Sequence, residues 1–272
     1  VRTAARQPGW TRGQLTSRAS TTTGWAANDN FAVDRAAADR ALAAEPAIAA
    51  AARANRAFLG RAVRFLAGEA GVRQFLDIGT GIPTAGNTHE VAQRAAPESR
   101  IVYVDNDRVV LTHARALLTS TPEGATSYID ADVRDSATIL RQAAETLDFS
   151  QPVAVTLLMV LHCIPDRDDP YEIVRRLLDA AAPGSYLALS HPARDIKAQT
   201  GHVATRRLND LMGPTQITIR SRAEIERFFD GLEMLAPGVV QPPSWRPEPD
   251  GPRLAGDVPA YCGVARKAGR SR

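Results

Sequence analysis

One stretch, Leu76-Asp77-Ile78-Gly79-Thr80-Gly81, constrains this chain more than any other. It comes after an apolar run and precedes a helical pattern, so it reads as a strand end turning into a helix. Gly79 and Gly81 carry no Cβ, which lets the backbone turn sharply and come close to a ligand. The next helix points its free N–H groups into the same crevice. Glycines alone suit several nucleotide folds. Asp77 narrows the choice, because nicotinamide-type fingerprints usually carry an apolar residue there. The continuation Ile82-Pro83-Thr84-Ala85-Gly86 also breaks the G-x-G-x-x-G spacing. The alternative is an ordinary strand-to-turn transition, with glycines for geometry only.

Three further stations come in order. Ile101-Val102-Tyr103-Val104-Asp105 is a β-rich run ending in a carboxylate, with Asn106-Asp107 next. In a doubly wound sheet an acid at the end of the second strand accepts hydrogen bonds from both ribose hydroxyls. Asp105 is the candidate, with helix capping as its other role. Tyr128-Ile129-Asp130-Ala131-Asp132-Val133 places Asp132 after a short third strand. There it suits an adenine amino group, and equally a solvated acidic loop. Val153–Leu161 suits a strand buried on both faces. It ends in Leu161-His162-Cys163-Ile164-Pro165-Asp166, where the wall of an active site is expected.

Taken together, Asp77, Asp105, Asp132 and the His162 wall favour S-adenosylmethionine over other nucleotides. The expected cofactor contacts are Asp77, Gly79, Thr80, Gly81, Asp105, Asn106, Asp132 and Val133. Methyl transfer from a sulfonium is an in-line displacement, so a protein mainly supplies proximity and orientation. An oxygen or nitrogen acceptor can also need a base. His162 and His191 are the candidate bases, each at an expected strand end facing the crevice. A structural histidine bonded to backbone is the alternative for both and the favoured one for His191, and His162 suits equally a wall for the adenosyl group. His89 reads as a solvated helix residue.

Apolar runs alternate with helical patterns, which predicts a parallel sheet. Strands are expected near Arg73–Ile78, Ile101–Val104, Thr126–Ile129, Val153–Leu161 and Ser185–Ser190, with a closing pair at Leu232–Leu235 and Tyr261–Ala265. Helices are expected at Asn87–Ala95, Val109–Leu118, Ser136–Leu147, Pro170–Ala181 and Asp195–Met212. Ser221-Arg222-Ala223-Glu224 has the form of a capping box. Gln241–Asp257 reads as a proline-rich loop. The 272 residues suffice for one substantial core, and a net charge of +3 is too small to imply a nucleic-acid partner. Cys163 and Cys262 have no metal-ligand spacing, so no metal site is expected. No apolar run is long enough to span a bilayer, and no signal core precedes the first element. These features predict a cytoplasmic protein acting on a small molecule, with its oligomeric state open.

The chain resembles the actinobacterial S-adenosylmethionine-dependent methyltransferase family formerly filed as a domain of unknown function. The stretches that carry the resemblance are Asp29-Asn30-Phe31-Ala32-Val33-Asp34-Arg35, Arg53-Ala54-Asn55-Arg56-Ala57-Phe58-Leu59, Gln74–Thr84, Tyr103-Val104-Asp105-Asn106-Asp107 and Pro183-Gly184-Ser185-Tyr186-Leu187. It implies an α/β class I (Rossmann-like) methyltransferase. That fold has a mostly parallel seven-stranded sheet, helices on both faces and a helical N-terminal cap, here residues 28–70. The methyltransferase domain would then be residues 71–272. Asn30 becomes a further candidate contact to the cofactor, with helix capping as its alternative. A non-catalytic cofactor-binding protein and a nicotinamide-dependent oxidoreductase are the competing readings.

The chain departs from the family in one place. Members carry a motif like A-R-V-Y-D-Y-x-L-G-G-K just before D-N-F, where this chain has Arg18–Ala27. The codons GCG-CGC-GTC-TAC-GAC-TAC-CGG-CTG-GGC-GGC encode A-R-V-Y-D-Y-R-L-G-G. Read from their second base they give R-A-S-T-T-T-G-W-A and an alanine codon, which are the residues observed. Residues 1–27 therefore read as a segment translated out of frame. Their composition offers little apolar surface to offset ordering entropy, which predicts disorder.

Overall fold

The computed structural model describes residues 47–81, 86–107, 110–112, 119–196, 217–248 and 258–269. The expectations for residues 1–27, for Asn30, for the first part of the helical cap read over 28–70 and for most of Asp195–Met212 lie outside the described residues. So does most of Val109–Leu118, of which 110–112 are helical.

Seven strands form one sheet: β1 Gln74–Ile78, β2 Arg100–Asp105, β3 Ala125–Asp130, β4 Ala154–Leu158, β5 Tyr186–Pro192, β6 Glu233–Met234 and β7 Ala260–Arg266. Their order is β3-β2-β1-β4-β5-β7-β6. The pairs among β1 to β5 are parallel, and β7 runs antiparallel to both β5 and β6. This is the class I methyltransferase arrangement expected from the resemblance. The chain lays β2 and β3 to one side of β1, then returns to place β4 on the other side. Ligands bind outside the carboxyl ends of the strands at such a switch point, so the loops leaving β1 and β4 set the crevice.

Every residue of β1 and of β4 is buried, which is why neither strand alternates between apolar and polar residues. Leu76 and Ile78 face a core shared with α3 (Ser136–Ala143) and α4 (Pro170–Ala180). Phe75 faces the opposite layer, with α1 (Ala47–Gly68) and α2 (Thr88–Ala95). Local chemistry fixes the helix starts. Asp135 and Asp169 accept from the backbone of Thr138 and Glu172. Ser221 and Glu224 form the reciprocal capping box that the sequence signals, opening α5 (Arg222–Glu226).

Two boundaries differ from expectation. The fourth strand stops at Leu158, not Leu161. Met159 takes a φ of 53°, where a strand cannot continue. Its N–H is held by the carbonyl and Oγ of Ser190 at 3.0 and 3.1 Å, and a 3-10 turn comes next at Leu161–Cys163. The region read as a proline-rich loop contains a 3-10 turn at Pro242–Ser244 and a fully buried Trp245. The Trp245 ring meets Phe58 and Phe65 of α1 edge-on, at centroid distances of 5.3 and 6.2 Å. Arg61 donates to the carbonyls of Trp245 and Pro242 at 2.9 and 2.6 Å. This tryptophan is the bolt that fixes α1 to the sheet.

A second buried device orders the turn after β4. Arg220 is 1% exposed. Its Nη1 donates to the Leu161 carbonyl at 3.0 Å and to His191 Nε2 at 2.8 Å. Its Nη2 donates to the Ile164 carbonyl at 2.9 Å and to Asp166 at 2.7 Å. The guanidinium therefore clamps both ends of the Leu161–Asp166 turn. With Nε2 accepting, His191 carries its proton on Nδ1 and donates it to the Pro192 carbonyl at 2.8 Å. Burial pushes the His191 imidazole down to about 3, with Arg220 and His162 pushing the same way, so it is neutral in the fold.

Two outcomes are expected from this packing. Trp245→Ala should destabilise the protein by about 3–5 kcal/mol in urea unfolding, the range for emptying a large aromatic site. An effect under about 1 kcal/mol would show that α1 is held some other way. His191 is neutral in the fold but takes up a proton in the unfolded chain below its ordinary value of 6.5. The stability it supports is whole above that pH and is lost as pH falls toward 3, by about 1.4 kcal/mol per unit at the steepest. Replacing it by glutamine should flatten the acid limb between about pH 6 and 4; an unchanged slope would count against the neutral assignment.

Candidate active site

The glycine motif closes against the turn after β4. Gly79 extends the β1–β2 ladder by donating to the Val104 carbonyl at 2.8 Å. Its φ is +76°, and a Cβ built there would lie 2.6 Å from Val160 Cγ2 and 2.7 Å from Val160 Cβ. Glycine is therefore required twice, by backbone sign and by contact. Gly81 also has a positive φ, 64°. Its N–H donates to Asp105 Oδ2 at 3.0 Å, while Asp107 N–H donates to Oδ1 at 2.9 Å. Burial raises the Asp105 carboxyl above its ordinary value, and these backbone donors oppose that rise.

Asp77 lies differently from a ligand-facing acid. It is 6% exposed. Thr156 Oγ1 of the neighbouring strand donates to Oδ1 and Thr88 Oγ1 of α2 donates to Oδ2, each at 2.6 Å. Burial raises its pKa, with the two threonines and the Arg56 charge acting against it. Arg56 Nη2 in turn donates to Asn87 Oδ1 at 2.9 Å, at the start of α2. Asp77 thus ties β1, β4 and α2 together beneath the glycine turn.

The remaining expected residues gather at the ends of β2 and β3. Asn106 Nδ2 donates to Asp132 Oδ2 at 3.4 Å. Asp132 Oδ1 accepts from the backbone and Nε of Arg134, both at 2.9 Å. Thr80 is partly exposed beside the glycines. The Val133 side chain is buried in the core. Asn30 lies outside the described residues. The structure brings Gly79, Thr80, Gly81, Asp105, Asn106 and Asp132 to one edge, with Asp77 below them.

His162 sits in the 3-10 turn opposite, with its carbonyl accepting from Thr218 N–H at 2.8 Å. Burial lowers its pKa, but the adjoining Cys163 thiol outweighs that and holds it above the ordinary value. His89 corrects an expectation. It is 3% exposed rather than solvated, with Nδ1 2.8 Å from the Tyr103 hydroxyl. Burial lowers its pKa, so the neutral ring accepts the tyrosine proton. Thr88, Thr156, Arg220 and Ser190 were not foreseen. Only Thr156 left a sequence signal, as the lone hydroxyl in an apolar strand. Among the described residues no group of three His, Cys, Asp or Glu stands together to hold a metal, and no helix is long and apolar enough to cross a membrane.

The donor set fits S-adenosylmethionine. A carboxylate offers about four acceptor sites, more than the backbone donors at Asp105 use, and this one is partly exposed at the end of β2. Residues 25–268 match the family model described as S-adenosyl methyltransferase. A DUF574 family protein from Streptomyces avermitilis MA-4680 is 44% identical, with a TM-score of 0.86 over 93% of this chain and 97% of that one. A candidate methyltransferase from Thermobifida fusca YX is 40% identical, with a TM-score of 0.82 over 94% of each chain. The N-methyltransferase NodS from Bradyrhizobium japonicum WM9, in complex with S-adenosyl-L-homocysteine, shares the fold at a TM-score of 0.53. It is 14% identical over 94% of this chain and 98% of that one. No curated protein matches the chain. With its sheet order, its glycine turn and these relatives in agreement, the chain belongs to the S-adenosyl methyltransferase family, as an S-adenosylmethionine-dependent enzyme.

Proposed function

We propose that Asp105 binds the ribose hydroxyls of the methyl donor and that the enzyme passes the methyl group to a small-molecule acceptor in the cytoplasm. The observation that carries the reading is the pair of backbone hydrogen bonds donated by Gly81 and Asp107 to one carboxylate. It fixes the carboxylate at the strand end while leaving acceptor capacity for a vicinal diol. Asn106, Asp132 and the Val133 backbone form the adenine side, and Gly79, Thr80 and Gly81 line the path of the donor's methionine portion. The donor supplies an electrophilic methyl on a sulfonium sulfur.

The protein's part is then to bind, orient and shut out water. Asp77 acts beneath the site, by holding α2 against the glycine turn through Thr88. His162 forms part of the wall rather than serving as a base. An acceptor with its own nucleophilic lone pair suits such a site, because among the described residues none is placed as an evident proton acceptor for the substrate.

Asp105→Asn removes charge-assisted hydrogen bonds of about 1.5–3 kcal/mol each. It should weaken S-adenosylhomocysteine binding at least about tenfold in calorimetry, with thermal unfolding as a control for the fold. Unchanged affinity in a folded variant would sink the ribose assignment. We also propose that residues 1–27 are out of frame and that their native counterpart completes the site. A protein carrying the restored A-R-V-Y-D-Y-R-L-G-G segment should bind S-adenosylhomocysteine more tightly than this chain. Equal affinity, or an intact gene without that upstream frame, would refute it.

A further inference from the structure

Val160 is the side chain that makes glycine obligatory at position 79, so the backbone just before it helps to set the crevice. That backbone belongs to Met159, a non-glycine residue at a φ of 53°. A conformation of this kind persists only where the surroundings over-determine it.

Helix α1 reaches Met159 by two independent routes. The first is apolar. Ala54 packs with Val258 and Ala260 in a small buried cluster, and Ala51 and Met159 close on it. The second is polar and belongs to the next residue, Asn55. Its Oδ1 accepts from Ser190 Oγ at 2.6 Å, and the same Oγ accepts from the Met159 N–H at 3.1 Å. The Ser190 carbonyl is the other acceptor of that N–H, at 3.0 Å.

The direction of these bonds fixes what Asn55 does. A hydroxyl has one proton and two lone pairs, and it rotates to suit its partners. Ser190 lies on β5 with 0% exposure, so water does not compete for it. The Asn55 oxygen claims the one proton, which leaves a lone pair turned toward Met159. Without that acceptor nothing on α1 holds the hydroxyl in this orientation. Trp245 and Arg61 fix where the helix lies; Asn55 links the helix to the turn after β4.

We propose that Asn55 is a positioning residue for methyl-donor binding. Its side-chain oxygen, acting through the Ser190 hydroxyl, holds Met159 in the left-handed conformation that sets Val160 against Gly79. The affinity part of this proposal rests on the reading of the glycine turn as the donor's site, whereas the hydrogen-bond relay stands apart from it.

The test uses the intact chain with Asn55→Leu, Asn55→Asp, Ser190→Ala and the double variant Asn55→Leu with Ser190→Ala. Thermal unfolding confirms that each is folded, and Asn55→Ala, favoured by helix propensity, replaces Asn55→Leu if that variant does not fold. Hydrogen exchange reads the Met159 amide directly, with no ligand. The amide should be protected in the parent and in Asn55→Asp, which keeps an acceptor oxygen, and should exchange at least about tenfold faster in Asn55→Leu and in Ser190→Ala. Calorimetry with S-adenosylhomocysteine should follow the same pattern, with binding about fivefold or more weaker in Asn55→Leu and Ser190→Ala and within about twofold of the parent in Asn55→Asp. The double variant should lose no more than Ser190→Ala alone, because both residues act in one relay. A mere packing role for Asn55 would add to the loss from Ser190→Ala and would not be rescued by aspartate. Unchanged exchange in Asn55→Leu, or exchange in Asn55→Asp as fast as in Asn55→Leu, would overturn the relay. Faster exchange with unchanged affinity in Asn55→Leu would overturn the link to donor binding. If the parent binds no S-adenosylhomocysteine, the reading of the donor site falls instead, and exchange at Met159 alone decides the relay.

Discussion

Gly79 and Val160 meet where no methyl group would fit, and the crevice is built around that contact. A Cβ on Gly79 would lie 2.7 Å from the Val160 Cβ, a distance no rotamer change relieves. Two loops from neighbouring parallel strands are thereby pressed together at the switch point. One carries the glycines, the other the Leu161–Asp166 turn. Close packing of this kind transmits displacement rather than absorbing it. The position of either loop consequently fixes the other, and the devices that fix them act on a shared geometry. Asp105 holds the glycine side through Gly81. Ser190 and Arg220 hold the turn side, through Met159 and through the carbonyls of Leu161 and Ile164.

The acid of the motif is a good example of structure and ligand binding pulling on one residue. Burying a carboxylate is costly unless its lone pairs are met and its charge is balanced. Asp77 has a hydroxyl donor on each oxygen, from Thr156 and Thr88, and Arg56 nearby. Its place is explained without a ligand, since it knits two strands and a helix where hydrophobic side chains could not give direction.

Much of this was legible in the sequence. The strands β1, β2, β4 and β5 were plain because buried parallel strands are continuous apolar runs, and the α5 start was plain because a capping box is a local pattern. The end of β2 at Asp105 was legible because the β-rich run stops there and Asn106-Asp107 come next. What failed was what depends on the sign of one dihedral or on contacts far along the chain. The strand after Val153 gave no warning that Met159 would turn to positive φ, since its apolar pattern runs on to Leu161. Trp245 stood in a proline-rich stretch that reads as solvated, and only the face of α1 nearly two hundred residues earlier makes it a core residue. Arg220 looked like any surface arginine. His89 looked solvated because its partner, Tyr103, lies on another element.

These long-range contacts also join the helical layer to the chemistry. Trp245 fixes α1 against the sheet, and α1 carries Asn55 to the strand ends, where its Oδ1 accepts from Ser190 Oγ at 2.6 Å. That hydroxyl oxygen is one of the two acceptors of the Met159 N–H. Met159 is the residue in strained backbone whose conformation aims Val160 at Gly79. A chain of direct contacts thus runs from a buried indole, through one helix and one hydroxyl, to the glycine turn. Strain of about 1–3 kcal/mol at a single non-glycine residue persists only where the surroundings over-determine it. Here the surroundings include α1. The helix is therefore part of the site's foundation rather than only a cover, and its docking sets how closely the two loops approach.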